Sequence, residues 1–206
     1  MTATQNTMIW GSAPSTTCLK LWEYVSDIGN QDVLILGVGD GRNAKFLASQ
    51  NFSVVCVDPD SQAISELEKW AKIEGINLRT YVSDYDSCEL SGQFDIVLSV
   101  GAIKNTNQES VEKLFSKIIA ATKPNGYNAI SVFIDKPFID IADRKGLFNS
   151  GDLMSKYGSN MILWTNQELF RGNGNDLYCV DRIIAKVLPA GHKLNPDDVT
   201  GALSLI

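Results

Sequence analysis

Several features that mark large classes of protein are scarce in this chain. It has one histidine, His192, and its four cysteines, Cys18, Cys56, Cys88 and Cys179, show none of the short paired spacings that bind zinc. Free thiols in a reducing compartment explain that pattern better than disulfides. No metal site is expected, and His192, in the run Pro189–Ala190–Gly191–His192–Lys193 beyond the last apolar segment, reads as solvent-facing. Basic clusters are also scarce, with 18 Lys and Arg against 24 Asp and Glu and a formal net charge of -6. A phosphate-backbone footprint needs clustered cations, so no nucleic-acid partner is expected. No apolar run is long enough to cross a bilayer, and no charged segment followed by an apolar one opens the chain. The expectation is a soluble, cytoplasmic protein without a membrane partner. Repeats and low-complexity tracts are absent.

What the chain does have is alternation of short apolar runs with amphipathic stretches. At 206 residues and 44% hydrophobic composition it suits one sizeable core, so residues 1–206 are read as a single domain, with an N-terminal arm over 1–15 and a C-terminal extension over 189–206. Strands are expected at Val33–Leu36, Ser53–Val57, Leu78–Val82, Ile96–Val100 and Tyr127–Ile134, the last after a Pro124–Asn125–Gly126 turn. Helices are expected over Thr17–Ile28, from about Arg42, over Ser61–Glu74 with Gly75 as its stop, and over Gln108–Ala121. Nearly all-apolar strands separated by helices indicate a parallel α/β sheet covered on both faces. Beyond Ile134 the pattern changes to an irregular charged stretch over 135–149 and a short helix within Gly151–Tyr157. Strands at Met161–Trp164 and Leu177–Leu188 follow, set to pair antiparallel around the turn signal Asn173–Gly174–Asn175.

The run Val33–Leu34–Ile35–Leu36–Gly37–Val38–Gly39–Asp40–Gly41–Arg42–Asn43 is a strand breaking into a turn with glycine at alternate positions. Such a turn lets backbone approach a ligand where a side chain would block it. A dinucleotide fingerprint needs its third glycine one residue later, which disfavours a nicotinamide cofactor. Asp58, with Pro59 after it, ends the second strand and is positioned to accept from two vicinal ribose hydroxyls. Asp84 follows the third strand, where a carboxylate can accept from an adenine amine, and Tyr85 beside it can cover a purine face.

With these residues assembled, the chain resembles the class I S-adenosylmethionine-dependent methyltransferases, and more narrowly the tellurite-resistance methyltransferase group. The narrower likeness rests on Gly37 to Asn43, on Phe94–Asp95–Ile96–Val97–Leu98–Ser99, on Thr122–Lys123–Pro124–Asn125–Gly126–Tyr127–Asn128, and on an echo at Phe148–Asn149–Ser150–Gly151–Asp152–Leu153 followed by Tyr157. It covers about residues 30 to 187. The resemblance implies a seven-stranded, mostly parallel, doubly wound sheet of order 3-2-1-4-5-7-6 with strand seven antiparallel. It also implies S-adenosylmethionine as cofactor, held by Gly37, Val38, Gly39, Asp40, Gly41, Asn43, Asp58, Pro59, Asp84 and Tyr85, with Ser99 and Gly101 on the methyl-donor side. One departure stands out: two residues before the first glycine the family usually carries an acid that helps hold the cofactor's ammonium, and here that position is Ile35. Losing a charge-assisted hydrogen bond costs about 1.5 to 3 kcal/mol. Asp40, inside the turn, is placed to compensate.

Methyl transfer needs an in-line nucleophile and a shaped pocket, and no general base when the acceptor is a soft nucleophile such as a thiol or chalcogen oxyanion. The expected acceptor is a small molecule lying over the fourth and fifth strands. Candidate residues there are Lys136 and Arg144 for an anionic acceptor, Asp135 or Asp140 for taking a proton from a neutral one, Trp164 as a wall, and Arg182, whose strand position suits either the site or a surface ion pair. Trp10, in the triplet Met8–Ile9–Trp10, is expected to close over the pocket or to pack on the first helix. Asn195–Pro196–Asp197–Asp198 can cap a short helix in the extension. A monomer or homodimer suits these features, and a non-catalytic binding protein on the same fold is the alternative that Ile35 motivates.

Overall fold

The computed structural model describes residues 11–90, 93–137, 139, 144–158, 160–171 and 177–192. The expectations for Trp10, Asp140, the Asn173–Gly174–Asn175 turn and the helix in the extension lie outside them.

Alternation of apolar residues along two strands sets up the layers. β1 (Asp32–Leu36) sends Val33 and Ile35 to one face and Leu34 and Leu36 to the other, and β2 (Ser53–Asp58) does the same with Val54 and Cys56 against Val55 and Val57. Because both faces of each strand are apolar, both must be covered by helices. One face takes α1 (Thr16–Val25), α2 (Arg42–Ser49) and α3 (Ser61–Glu74) through Leu21, Val25, Leu47, Ile64 and Leu67. The opposite face takes α4 (Gln108–Ala121) and the single turn α5 (Asp152–Ser155) through Val111, Leu114, Phe115, Ile118 and Leu153. The start and stop of α3 follow sequence chemistry closely. The Asp60 side chain accepts from the Gln62 amide at 2.8 Å at its head, and Gly75 closes its tail at φ 68°.

The remaining strands are β3 (Arg79–Val82), β4 (Phe94–Val100), β5 (Thr122–Phe133), β6 (Met161–Arg171) and β7 (Leu177–Lys186). They join β1 and β2 in a seven-stranded sheet of order β3-β2-β1-β4-β5-β7-β6, in which β7 runs antiparallel to both its neighbours. Three elements differ from expectation. α1 ends at Val25, three residues early, where Ser26 caps it. β5 begins at Thr122, and the expected Pro124–Asn125–Gly126 turn sits inside it as an irregularity between the Phe94 and Ile96 pairs, with Asn125 at φ 67°. A Cβ on Gly126 would come within 2.7 Å of the Asp95 carbonyl, so this kink requires glycine. β6 runs to Arg171 instead of Trp164, and its extra residues, Thr165 to Arg171, are mostly polar because β6 is an edge strand. Polar residues on a two-sided edge carry no alternation signal.

The order of successive strands reverses between the parallel neighbours β1 and β4, and the connections leaving their carboxyl ends pass to helices on opposite faces, α2 and α4, which leaves a crevice. This is where open α/β sheets bind ligands.

Candidate functional site

A cavity of about 1260 Å3 opens over the carboxyl ends of the strands, running from the turn after β1 to the ends of β6 and β7. That exceeds the usual volume for one drug-sized ligand and suits a nucleoside-type cofactor with an acceptor beside it.

Its first wall is built mainly of backbone. Gly37, Gly39 and Gly41 all have positive φ, at 90°, 51° and 75°. Gly37 is the tightest, since a Cβ there would overlap that of Ala102 and reach 3.3 Å from the Tyr85 hydroxyl. By contrast, a Cβ on Gly39 would meet nothing within 4 Å, so the middle of the turn faces open space. Asp58, 7% exposed, fixes the turn: Oδ2 accepts from the Val38 amide at 2.6 Å and the Gly39 amide at 3.4 Å, and Oδ1 accepts from the Asp60 amide at 2.8 Å. Oδ1 retains acceptor capacity beyond that bond, and Asp58 lines the cavity. Asp84 and Tyr85 line the same wall. Burial, reinforced by the charges of Asp58 and then Asp84, pushes the Tyr85 hydroxyl well above its ordinary range, so it is a donor at neutral pH. These features fit an adenosine-bearing cofactor, with a bare turn, two carboxylate acceptors and an aromatic side chain along one rim.

Among residues expected to touch the cofactor, Gly37, Val38, Gly39, Asp40, Asn43, Asp58, Pro59, Asp84, Tyr85 and Gly101 line the cavity. Gly41 and Ser99 do not. Gly41 caps α2 and faces Lys45 and Leu67, while Ser99 is fully buried and donates to the Leu36 carbonyl at 3.0 Å, pinning β4 to β1 beneath the crevice. Ile35 is 2% exposed and belongs to the core under α1 to α3.

The far wall differs from expectation. Asp135 and Arg144 form an ion pair with each other, Arg144 also donates to the Lys136 carbonyl, and none of the three lines the cavity. The charges of Asp135 and Arg144 are spent on each other. Trp164 lies opposite Ile184, in the half of β6 remote from the carboxyl edge, and packs on the core beneath α1. Arg182 does line the cavity, and it is also paired there, with Glu168 Oε2 at 2.7 Å and Asn166 Oδ1 at 2.9 Å. Glu168, Arg171, Ser131, Phe133 and Val180 complete this wall, with Ile103 and Lys104 from the segment after β4. The alternation of Ser131 and Phe133 along β5 could have disclosed those two. Glu168 could not be found that way, because its position depends on the register of β6 against β7.

Cys18 and Cys56 are not chemical candidates, since burial pushes both thiols up to about 12. Among the described residues no group of three His, Cys, Asp or Glu side chains could hold a metal ion, and no helix is long and apolar enough to cross a membrane.

Comparison with known proteins accords with this geometry. The family model described as "Tellurite resistance protein TehB" matches residues 15–172. An O-methyltransferase of ubiquinone biosynthesis from Rickettsia felis is 27% identical over 112 residues, 54% of this chain and 45% of that protein. The probable S-adenosyl-L-methionine-dependent methyltransferase TehB of Haemophilus influenzae is 28% identical over 98 residues, 48% of this chain and 34% of that one. The chain thus spans about half the length of the curated relatives it matches, or less. The crystal structure of TehB from Haemophilus influenzae superposes with a TM-score of 0.73 at 21% identity, covering 81% of this chain and 61% of that one. With a family match over more than half its length and a sheet of the same architecture, the chain belongs to the TehB family and carries the class I methyltransferase fold.

Proposed function

We propose that the protein transfers a methyl group from S-adenosylmethionine to a small-molecule acceptor. The observation that carries this reading is the continuity of one cavity from the glycine turn and its two acids to the Arg182–Glu168 pair. Bound there, the cofactor supplies an electrophilic methyl group and its own leaving group. The chain's residues have four tasks. Asp58 Oδ1 and Asp84 accept from ribose and base, and the Tyr85 hydroxyl donates. Gly37 and Gly39 keep side chains out of the amino-acid path. Ile103, Phe133 and Val180 keep water from the methyl. Arg182, held by Glu168 and Asn166, orients the acceptor.

A soft acceptor, a thiol or a chalcogen oxyanion, suits this wall best. Transfer to such a nucleophile needs no general base, and Glu168, the acid of the far wall among the described residues, is already paired with Arg182. Membership of a family described by tellurite resistance supports the oxyanion within that class. Titration calorimetry with S-adenosylhomocysteine, followed by mass-spectrometric turnover assays on thiols, selenite and tellurite, tests both statements. Micromolar binding with methylated product is expected, and absence of binding overturns the proposal. Ile35 favours a second reading, a cofactor-binding protein without turnover, and tight binding with no product from any acceptor would support it.

A further inference from the structure

The floor of the acceptor wall holds a buried hydroxyl, that of Ser131, which makes no hydrogen bond to the described residues. Resting on the function proposed above, we infer that Ser131 is a specificity-determining residue: its hydroxyl and the Nε–Nη2 edge of Arg182 together bind an anionic oxygen group of the acceptor, a carboxylate or a chalcogen oxyanion.

Strand register sets the two groups side by side. Ser131 on β5 pairs with Arg182 on β7, and Arg182 pairs with Asn166 on β6, so the three form one row across the sheet and face the same side. Ser131 is 1% exposed and lines the cavity, so what little surface it keeps belongs there. A buried hydroxyl without a partner costs stability, and an acceptor atom of a ligand would satisfy it.

Arg182 is held in place but not used up. Glu168 Oε2 at 2.7 Å and Asn166 Oδ1 at 2.9 Å both contact Nη1. Among the described residues Nε and Nη2 therefore have no acceptor, and these parallel donors are the edge of a guanidinium that takes a carboxylate or oxyanion with two bonds. Because two residues of β6 fix the group beforehand, little side-chain freedom remains to be lost on binding.

The surroundings favour an anion. The acceptor wall carries Lys104, Arg171 and Arg182 against the acid Glu168 among the described residues, the reverse of the acid-rich cofactor wall. Phe133 and Val180 form the next row toward the carboxyl edge and keep this one dry, which strengthens charge-assisted bonds. A guanidinium alone accepts many anions. A third donor, fixed on another strand, sets the direction of the bound group and selects oxygen, with its several lone pairs, over a thiolate.

The test is calorimetric titration of the full chain, saturated with S-adenosylhomocysteine, with selenite, with 3-mercaptopropionate, and with methyl 3-mercaptopropionate, which keeps the thiol but not the charge. At least one of the two anions should bind roughly tenfold or more tightly than the ester, and which one does so tells a chalcogen oxyanion from a carboxylate carried by a thiol. Ser131→Ala should weaken that anion about tenfold, leave S-adenosylhomocysteine within about twofold, and melt no lower than wild type without ligand, because an unpaired hydroxyl has gone. Arg182→Lys, which keeps the charge but not the fork, should also weaken the anion about tenfold. Neither anion binding better than the ester, or undiminished anion binding by either variant, overturns the inference and leaves the methyl-transfer reading standing. Failure of the wild type to bind S-adenosylhomocysteine overturns both.

Discussion

The two walls of the cavity are made of different material. On the β1–β2 side the ligand surface is chiefly main chain, fixed by Asp58 and by glycines at positive φ, with a single aromatic side chain across it. On the β5–β7–β6 side it is side chain, an arginine held by a glutamate and an asparagine from the neighbouring strand. Backbone cannot be exchanged by mutation without disturbing the fold, whereas Arg182 and Glu168 can be replaced with the sheet left intact. The first wall is thus suited to an invariant ligand and the second to one that differs among relatives.

The harshest way to break the comparison is at Gly37. Gly37→Ala puts a Cβ into that of Ala102 on a backbone at φ 90°, and should cost about 2 to 4 kcal/mol of stability together with cofactor binding, read by thermal unfolding and calorimetry. Asp58→Ala comes next. It leaves the Val38 and Asp60 amides without their acceptor and should weaken S-adenosylhomocysteine about a hundredfold, with a loss of about 2 kcal/mol in urea unfolding. If that variant bound the ligand normally, the backbone wall would not be the cofactor's.

Arg182→Met should act in the opposite sense. It should lower kcat/KM for an anionic acceptor about tenfold or more while the affinity for S-adenosylhomocysteine stays within about twofold, since Glu168 is left half-exposed and can rehydrate. A parallel fall in cofactor affinity would erase the distinction between the walls.

The effect that is smallest at neutral pH, and grows only above pH 9, is that of the buried thiols. Burial favours the protonated thiols of Cys18 and Cys56, raised from 9.0 to about 12, so the unfolded chain releases those protons first. Their contribution is complete below pH 9 and erodes as the pH rises toward 12, by about 1.4 kcal/mol per pH unit and per group. Urea midpoints at pH 8, 9.5 and 10.5 should fall in that order, and Cys56→Ala should flatten the slope.

The same division governs what could be read before any coordinates. The glycine turn, Asp58 and Asp84 were legible because backbone-built sites need particular residues at fixed spacing along one segment. The strand order came from the family resemblance, and the alternating apolar strands and the limits of α3 and α4 came from periodicity and capping. The acceptor wall was not legible, because Glu168 and Arg182 meet only through the pairing of two antiparallel strands. Lys136, Arg144 and Asp135 looked like site residues from their position after β5, yet Asp135 and Arg144 found each other first.

Gly37 and Ala102 lie on separate crossovers, and a Cβ on Gly37 would overlap that of Ala102. A side chain at position 37 would have to take its space from residue 102, so the glycine turn and the segment after β4 cannot be reshaped independently. Under the proposed function, a change of acceptor through the chain after β4 is thereby tethered to the size of a single residue at position 102.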